Sequence, residues 1–516
     1  MHEESTVRPH CCPHRSDSME AGVRRRDFLG GVALGGTMLT GLSWTSLASA
    51  DDEPAAAPSR KPLVVQPILT HDLPQRRSKT SWRNWGGIET AEQAAAEAKA
   101  IETEHAALEK QADFPVTFLP LATVRGAAEV GQIGSLAQAD VVIVYAAGGP
   151  MTIFDAVAKT GKDVIFFVRW KSGPVYLWYE IVSPRFLRQH TDERKVPNLR
   201  DEDVVVDSQD ELLWRLRALC GLRNTLGEKI LCVGGVGAWA QPRDTKVPQL
   251  VRDIFKFDLQ VVPYDELGKL IAQARADEQA VACAKRRAAD YLKLPDTKLE
   301  TEQSFVENGF LLDDIFRSLM RQAECRAITI NSCMGTIMPL AETSACLTLS
   351  TLNDDGYLAF CESDFVVIPS GVLMAHIAGK PVFLNDPTYP NAGIITLAHC
   401  TAPRKLDGRK LDPARILTHF ESDYGAAPKV EMPRGQKVTN IIPDFAFKRW
   451  VGLRGEIVES PFRPICRSQI DVSFSCDSLL LAERMPGFHW MTCYGDYIRE
   501  IGYALRRLGI TWEVLG

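Results

Sequence analysis

Short apolar runs alternate with longer helix-like segments over residues 61–224. The strand-like runs lie at 63–69, 116–119, 141–145 and 164–168. The clearest helical pattern between them is the stretch 90–112, which is rich in Ala, Glu and Lys. Because strands that alternate with helices form parallel sheets covered on both faces, this pattern predicts an N-terminal α/β domain over 61–224.

The same alternation returns over residues 225–400. Strands are predicted at 230–233, 259–262, 327–330, 358–361 and 382–384. The segments 265–292 and 301–323 carry Ala, Leu, Glu, Lys and Arg at helical spacing and are predicted to be helices. We therefore expect a second α/β domain, and we expect both domains to be doubly wound, in the manner of flavodoxin-like and Rossmann-like folds.

The pattern changes from about residue 401, where proline and glycine separate short β-rich runs. These runs lie at 437–442, 455–458 and 469–474, and a helical segment follows near 495–508. Short strands between turn residues are typical of antiparallel sheets and barrels. Residues 401–516 are therefore predicted to form a small C-terminal β-barrel-like domain, which follows the two parallel-sheet α/β domains.

The start of the chain has the pattern of an export signal. Three arginines and Asp-Phe-Leu at 24–29 precede a glycine-rich apolar stretch at 30–47 and the small residues at 48–50. This pattern is typical of a twin-arginine signal peptide. We expect residues 1–50 to be removed during export to the periplasm by the twin-arginine translocation machinery, and 51–60 to be a linker. No later stretch approaches the roughly 18 apolar residues that a spanning helix needs, so no membrane span is expected in the mature chain.

Composition excludes several classes of function. The formal net charge is −6, and no basic cluster interleaved with aromatic residues is present, which argues against a nucleic-acid partner.

Of the 13 cysteines, Cys11 and Cys12 precede the predicted cleavage site, so 11 remain. They are scattered, odd in number and without a Cys-x-x-Cys pair. This predicts free thiols instead of a disulfide framework or a structural zinc site.

Two acidic residues each stand where a predicted strand ends. Glu362 follows the apolar run at 358–361, and Asp386 closely follows the run at 382–384. The apolar segment between them ends at Gly379, a residue type that commonly stops helices. We therefore predict a βαβ unit whose two parallel strands are neighbours about 4.8 Å apart. Both carboxylates would then lie at the carboxyl edge of the sheet, where open α/β sheets bind ligands.

A close pair of carboxylates needs a proton or a cation between them. A divalent metal site is one interpretation of Glu362 and Asp386. The other is that both acids cap helices or form turns, as acidic residues after strands often do. Two later histidines, His399 and His489, favour the metal. A mixed set of carboxylate and imidazole ligands suits Mn²⁺ or a related divalent cation better than a thiolate zinc site.

Local motifs of the chain resemble the L-fucose isomerase family, whose distant relatives include the L-arabinose isomerases. The resemblance covers residues 326–400 and 436–515. The motifs that carry it are Ile328–Cys333, the stretch from Thr343 to Gly356, Cys361-Glu-Ser-Asp364, Gly379-Lys-Pro-Val-Phe-Leu-Asn-Asp386-Pro, His399-Cys400, Gly435-Gln-Lys-Val-Thr439, Gly455-Glu-Ile-Val458, Arg467, and Gly487-Phe-His489-Trp with Tyr494-Gly-Asp496. One position departs from the family pattern, since Ser363 stands where the family more often has glycine. The predicted layout of two α/β domains and a β-rich C-terminal domain agrees with the layout of the family.

The resemblance implies a metal-dependent sugar isomerase, which interconverts an aldose and a ketose through a cis-enediol intermediate. It implies that Glu362 and Asp386 bind Mn²⁺, or another divalent cation, and carry out the proton transfers. His489 would complete the protein ligands of the metal. The relatives are oligomers whose neighbouring subunits help to form each site, so a homo-oligomer is expected.

Four further residues near these motifs are candidates for contact with the sugar substrate. Asp364 and His399 could touch the sugar or support the metal ligands. Trp490 and Tyr494 could stack on a sugar ring, with packing in the core as the alternative.

Two other functions stay open on the sequence alone. An exported protein of the same fold could bind a sugar without catalysis, and its binding would then be tight and insensitive to a chelator. The same ligands could also serve another metal-dependent sugar-modifying enzyme, such as an epimerase or a hydrolase.

Overall fold

The computed structural model describes residues 36–39, 41–42, 57–83, 86–176, 181–240 and 246–516. The chain divides into two compact units, which are Arg60–Arg223 and a unit formed by Met1–Ser59 together with Asn224–Gly516. Most of the predicted signal peptide (1–50) and of the predicted linker (51–60) lies outside the described residues. The described part of the signal region contains one short strand, β1 (Thr37–Met38).

The unit Arg60–Arg223 is built on one parallel sheet. Its strands are β2 (Leu63–Thr70), β3 (Val116–Phe118), β4 (Ala122–Val124), β5 (Val141–Ala146), β6 (Asp163–Val168) and β7 (Val204–Val206). Its α-helices are α1 (Ala91–Gln111), α2 (Ala127–Val130), α3 (Thr152–Ala158) and α4 (Gln209–Thr225). The last two residues of α4 lie past the limit of the unit at Arg223. The strand order is β3-β2-β5-β6-β7, with β4 also paired to β2, and these pairings are parallel. The predicted N-terminal parallel sheet is confirmed.

Burial on both faces explains the apolar strand sequences of this unit. All six residues of β5, Val-Val-Ile-Val-Tyr-Ala, are buried, as expected for a covered parallel strand. Helix α1 begins at a capping box, in which the Thr90 and Gln93 side chains accept hydrogen bonds from each other's backbone N–H groups. Just after β6, the buried Arg169 pairs with Glu97 and Glu104 of α1, which satisfies a charge that burial alone would destabilise.

The second unit contains a parallel sheet, a three-stranded sheet and a closed barrel. Beyond β1 its strands are β8 (Lys229–Val233), β9 (Asp258–Val262), β10 (Thr297–Leu299), β11 (Ala327–Ile330), β12 (Leu358–Phe360), β13 (Phe383–Pro387), β14 (Ile394–His399), β15 (Ala414–His419), β16 (Tyr424–Val430), β17 (Lys437–Ile442), β18 (Arg449–Glu459), β19 (Ser468–Ser473), β20 (Trp490–Tyr494) and β21 (Thr511–Leu515). Its α-helices are α5 (Lys246–Phe255), α6 (Tyr264–Ala276), α7 (Glu278–Leu292), α8 (Gln303–Gln322), α9 (Met338–Ala341), α10 (Cys346–Asp354), α11 (Ile368–Ala378), α12 (Ser478–Arg484) and α13 (Ile498–Arg507). Across the described ranges, no helix combines the length and the apolar character that crossing a membrane requires.

The parallel sheet of this unit has the strand order β1-β9-β8-β11-β12. All of β11, and all of β8 except Lys229, is buried, which accounts for their mostly apolar sequences. The strands predicted at 230–233, 259–262, 327–330 and 358–361 form in this sheet. A separate three-stranded sheet has the order β10-β15-β16.

The barrel closes six antiparallel strands in the order β17-β20-β13-β14-β19-β18, with β18 paired back to β17. Strand β21 adds to β18 in parallel. Close approach of neighbouring strands requires a small residue on β18, because a Cβ on Gly455 would lie 2.2 Å from a Val472 methyl group of β19. The predicted barrel in the C-terminal region is confirmed.

The strand predicted at 382–384 forms, as β13, but its predicted place in the parallel sheet is wrong. Strand β13 pairs antiparallel with β14 and β20, so it belongs to the barrel and is not a parallel neighbour of β12. Helix α11 has Pro369 in its first turn and ends at Gly379, whose φ of 63° is the left-handed conformation that favours glycine. The chain thus passes through α11 from the parallel sheet into the barrel. The domain limit predicted at residue 400 therefore leaves two barrel strands, β13 and β14, in the second α/β domain. The apolar run of a short strand does not show which strand it will pair with.

Candidate metal centre

Four side chains from the ends of sheet and barrel strands lie close to one another, with the two histidines between the two carboxylates. Glu362 follows β12, Asp386 lies on β13, His399 ends β14, and His489 immediately precedes β20. His489 Nε2 is 3.2 Å from Asp386 Oδ1 and 3.6 Å from Glu362 Oε2. His399 Nε2 is 3.7 Å from Glu362 Oε1. The predicted trio of Glu362, Asp386 and His489 therefore comes together, although it does so from the parallel sheet and the barrel instead of from neighbouring parallel strands.

Strand register explains how residues so distant in sequence meet. Strands β13 and β14 place Asp386 opposite the residue that precedes His399. Strands β13 and β20 pair Asn385 with Trp490, so the next step along this antiparallel pair sets His489 opposite Asp386. Adjacent strands lie about 4.8 Å apart, which brings these side chains within reach of one another.

Glu362 has an unusual backbone conformation. Its φ is 65° and that of Ser363 is 47°, and both values fall in the left-handed region that non-glycine residues seldom adopt. The N–H of Ser363 donates a hydrogen bond to Thr329 Oγ1 of β11 at 3.1 Å, which holds the turn. The positive φ at Ser363 is a physical reason for glycine to suit this position. Such conformations cost roughly 1–3 kcal/mol per residue and are concentrated at functional sites.

Asp364 lies behind His489 and orients its ring. Asp364 Oδ2 is 2.8 Å from His489 Nδ1, and Asp364 Oδ1 accepts hydrogen bonds from the backbone N–H groups of Trp239 at 3.0 Å and Val366 at 3.1 Å. Because an ionised carboxylate can only accept, Nδ1 keeps its proton, and Nε2 is the nitrogen that can lose a proton and bind a metal. Of the candidates for substrate contact, Asp364 is therefore placed to position His489, and it is only 2% exposed.

His399 supplies a second imidazole to the cluster. Its Nδ1 is 2.9 Å from Thr401 Oγ1, and its Nε2 faces Glu362. Among the residues that the structure describes, potential ligand atoms within 4.8 Å of one another form two sets, which are Asp386, His399 and His489, and Cys361, Glu362 and His399. These residues could hold a metal ion. His399 belongs to both sets and thus lies within the cluster itself.

Charge coupling within the cluster shifts its pKa values. Burial raises the pKa of Asp386 above its ordinary value of 3.8, although His489 and His399 oppose the shift. Burial lowers the pKa of His489, but Asp364, Asp386 and Glu362 outweigh burial and hold the pKa well above 6.5. The pKa of His399 is likewise raised, since Glu362 and Asp386 together outweigh its burial. These shifts favour the protonated forms of Asp386, His399 and His489, so a cation that binds competes with protons.

Two buried atoms of the cluster lack a hydrogen bond. Asp386 Oδ1 and His489 Nε2 lie 3.2 Å apart, yet neither makes a hydrogen bond of good geometry within the described part of the chain. Buried polar atoms are normally satisfied, so such atoms call for an explanation. A carboxylate oxygen and an imidazole nitrogen are both ligand types that Mn²⁺ and related cations accept, so the residues present fit such an ion.

Trp490 and Tyr494 lie in the hydrophobic core. Trp490 is 0% exposed and Tyr494 is 3% exposed, and both belong to the main cluster of buried apolar residues. The hydroxyl of Tyr494 donates a hydrogen bond to Asp412 Oδ2 at 3.3 Å. The structure thus favours core packing, the alternative role, for both residues.

Sequence reasoning missed the aromatic residues around His489. The Phe488 and His489 ring centroids are 4.2 Å apart, and Trp239 meets Phe488 edge-on at 5.6 Å. Trp239 ends a glycine-rich turn at 234–239 after β8, and a parallel bridge sets this turn beside the residues that follow β12. The available signal was that this turn follows a strand of the same parallel sheet, and so lies at the same carboxyl edge.

Neither the comparison with protein-family models nor the comparison with curated proteins finds a match to this chain. A functional assignment therefore has to come from the geometry of the cluster and from the local motifs around it.

Proposed function

We propose that the protein is a metal-dependent sugar isomerase, which interconverts an aldose and a ketose. The observation that carries the proposal is that His489 Nε2 lies 3.2 Å from Asp386 and 3.6 Å from Glu362, with His399 beside them. Two carboxylates and two imidazoles suit Mn²⁺ or another divalent cation. The motifs around these residues are also those that resemble the L-fucose isomerase family.

We assign the protein ligands of the cation to Glu362, Asp386 and His489, with His399 as a neighbouring donor. When bound, a divalent cation polarises the sugar carbonyl and stabilises developing negative charge, a contribution of several kcal/mol. Asp364 keeps the His489 ring in place for this task through the 2.8 Å contact at Nδ1.

Isomerisation requires removal of a proton from the carbon next to the carbonyl and its return to the neighbouring carbon. We assign these transfers to Glu362 and Asp386, one as base and the other as acid, across a cis-enediol intermediate. Their side chains are 13% and 16% exposed, so both carboxylates are largely shielded from solvent and still partly accessible. The rigid turn at Glu362 and the paired strand at Asp386 hold the two carboxylates from separate elements.

The strand orders support a finer description of the fold. In the order β3-β2-β5-β6-β7, β2 comes first along the chain, and the next strand, β3, pairs at its outer side. The run β9-β8-β11-β12 repeats this arrangement, with β8 first and β9 at its outer side. This is the doubly wound, flavodoxin-like arrangement, which binds ligands at the carboxyl edge of its strands. Export through the twin-arginine machinery to the periplasm, and assembly into a homo-oligomer, stay predictions.

Turnover of a panel of aldoses by the full chain, with and without EDTA, tests the proposal. We expect ketose formation that EDTA abolishes and Mn²⁺ restores. Glu362→Gln should keep the fold and lose turnover, because glutamine cannot exchange a proton. Glu456→Gln, at an exposed position of β18, is the matched control and should stay active. Full activity of Glu362→Gln, or turnover that EDTA does not affect, would refute the proposal.

The same assays separate the other two functions. In deuterated water an enediol reaction should introduce solvent deuterium next to the product carbonyl, whereas hydrolysis would not. Tight sugar binding without turnover, unaffected by EDTA, would instead identify a sugar-binding protein.

A further inference from the structure

Two cysteine thiols lie beside the metal cluster and take no part in the proposed reaction. Cys333 Sγ and Cys361 Sγ are 3.5 Å apart, and both thiols are free. Cys361 directly precedes Glu362, and Cys333 opens the π-helical turn after β11. Since β11 and β12 are neighbouring parallel strands, the two thiols lie side by side at the carboxyl ends of these strands.

The pair has one accessible and one buried member. Cys333 is partly exposed, and Ser332 beside it is exposed, whereas Cys361 is 4% exposed. Cys361 Sγ lies within 4.8 Å of a Glu362 carboxylate oxygen and of a His399 ring nitrogen. A reagent from solvent therefore meets Cys333 first, and a movement of Cys361 is transmitted to the cluster.

We propose that Cys333 and Cys361 form a redox-modifiable dithiol, which a low-molecular-weight disulfide oxidises to an intramolecular disulfide that weakens metal binding at Glu362. The covalent part of this proposal depends only on the geometry of the two thiols. Its effect on the metal rests on the proposed function.

The oxidation consists of two thiol–disulfide exchanges. The Cys333 thiolate attacks one sulfur of the oxidant RSSR, which forms a mixed disulfide and releases one RS⁻. The Cys361 thiolate then attacks Cys333 Sγ, which forms the intramolecular bond, breaks the mixed disulfide and releases the second RS⁻. The protons of the two protein thiols pass to the released thiolates. Two protein thiols and one RSSR therefore give one protein disulfide and two RSH.

Bond formation has to displace Cys361 or Cys333. The two sulfur atoms must approach from 3.5 Å to about 2.05 Å. Cys361 is linked through its peptide bond to Glu362, whose backbone φ is 65°. A non-glycine residue is already strained in this conformation, so the Glu362 backbone cannot easily absorb a shift of Cys361. We therefore expect oxidation to move the Glu362 carboxylate away from the position in which it faces His489 and His399.

Peptide mapping locates the bond, which matters because Cys346, Cys400 and Cys466 pack together in a second group of thiols. The full chain is treated with oxidised glutathione, alkylated, and digested with trypsin and Glu-C. Cleavage after Arg326, Glu342 and Asp355 puts three cysteines on separate peptides: Cys333, Cys346 and Cys361.

The proposal expects a Cys333–Cys361 cross-link that dithiothreitol removes. Cys333→Ser should not form it. Cys476→Ser, which removes another partly exposed thiol, should form it as wild type does. Absence of this cross-link in wild type, or a bond between other cysteines in its place, would overturn the proposal.

Metal affinity of the same samples, measured by Mn²⁺ titration, tests the consequence. The cross-linked protein should bind Mn²⁺ at least about tenfold more weakly than the reduced protein, as expected when a ligand loses its position. Cys333→Ser should bind equally well before and after the oxidant. Equal affinity of reduced and cross-linked wild type would overturn the proposal. If reduced wild type binds no Mn²⁺, the proposed function fails, and the peptide map still decides whether the dithiol exists.

Discussion

Two groups of buried carboxylates in the unit that contains Asn224–Gly516 have different basic side chains as partners, arginine in one group and histidine in the other. On α7 and α8, Asp313 pairs with Arg287 Nη2 at 2.6 Å and with Arg317 Nε at 2.7 Å. In the candidate metal centre, Asp386 pairs with His489 at 3.2 Å. The two aspartates share a residue type and a largely buried environment, and they differ in the partner.

The pKa values of these aspartates shift in opposite directions. Burial raises the pKa of Asp313, but Arg317 and Arg287 outweigh burial and hold the pKa below 3.8. Burial also raises the pKa of Asp386, and there His489 and His399 do not offset the effect, so the pKa lies above 3.8. The two arginines thus favour the ionised form of Asp313, whereas burial shifts Asp386 towards its protonated form.

The difference follows from the chemistry of the partners. Arginine remains charged at all relevant pH values and cannot coordinate a metal, whereas histidine can release its proton and become a ligand. The arginines therefore offset the burial of Asp313 within the fold, although burial still raises the pKa of the neighbouring Asp314 to about 6. The histidine cluster is suited to an exchangeable cation, which is the physical basis of the proposed function.

Substitution of Asp386 gives the largest expected difference between the two groups. Asp386→Asn should lower kcat about 10²–10⁴-fold, because asparagine cannot take part in proton transfer. The metal-free protein should lose little stability, since asparagine resembles the protonated aspartate that burial favours. Kinetics with Mn²⁺ and urea unfolding after EDTA treatment measure the two effects. Undiminished turnover would show that Asp386 has no role in proton transfer.

Substitution of Asp313 should act on stability instead. Asp313→Asn removes the shared partner of Arg287 and Arg317, and breaking a buried ion pair costs roughly 3–5 kcal/mol in free energy of unfolding. Asp290→Asn, an exposed acid on α7, is the matched control and should change that free energy by less than about 0.5 kcal/mol. Urea unfolding measures both variants, and equal stabilities would show that the arginine network is not structural.

Asp364 holds the His489 ring through the 2.8 Å contact at Nδ1. Asp364→Asn should weaken Mn²⁺ binding about 10–100-fold, because the neutral amide no longer fixes the ring as an ionised carboxylate does. Asp496→Asn, an exposed acid paired with Arg454, should bind Mn²⁺ as wild type does. Calorimetric titration with Mn²⁺ provides the comparison, and an unchanged affinity for Asp364→Asn would show that this contact does not position the ligand.

The pH dependence of stability gives the smallest expected effect. His489 and Asp386 have folded-state pKa values above 6.5 and 3.8, so their contributions are present below those values and are lost as pH rises through the raised pKa values. Asp313 has a lowered pKa, so its contribution is present above 3.8 and is lost only as pH falls. EDTA-treated protein should therefore unfold more easily as pH rises above 6.5, and Asp386→Asn should reduce this trend. A flat profile would contradict the assigned protonation.

Much of the fold could be predicted because burial leaves a local pattern. Strands β8 and β11 are apolar apart from Lys229 and Thr329, and a parallel sheet follows from that pattern. The partners of β13 could not be predicted, because its apolar run is short and its pairing is remote. Asn385 of β13 hydrogen-bonds to Thr492 of β20, 107 residues further along the chain.

The sequence could predict which residues form the candidate metal centre, but it could not predict how they are arranged. Glu362, Asp386 and His489 lie in short motifs that can be read locally, but Asp364 and His489 meet across 125 residues. The left-handed turn at Glu362 has no local signal, because non-glycine residues seldom adopt it. Trp490 could equally have lined a sugar site, and only its complete burial distinguishes the two roles.

The metal content of the purified protein shows whether Asp386 and His489 hold a cation. After dialysis against Mn²⁺ and then buffer, elemental analysis should find about one ion per chain in wild type and in Asp313→Asn, and much less in Asp386→Asn combined with His489→Gln. The same metal content in wild type and in the double variant, or no retained metal in wild type, would contradict the claim that these side chains form a cation site.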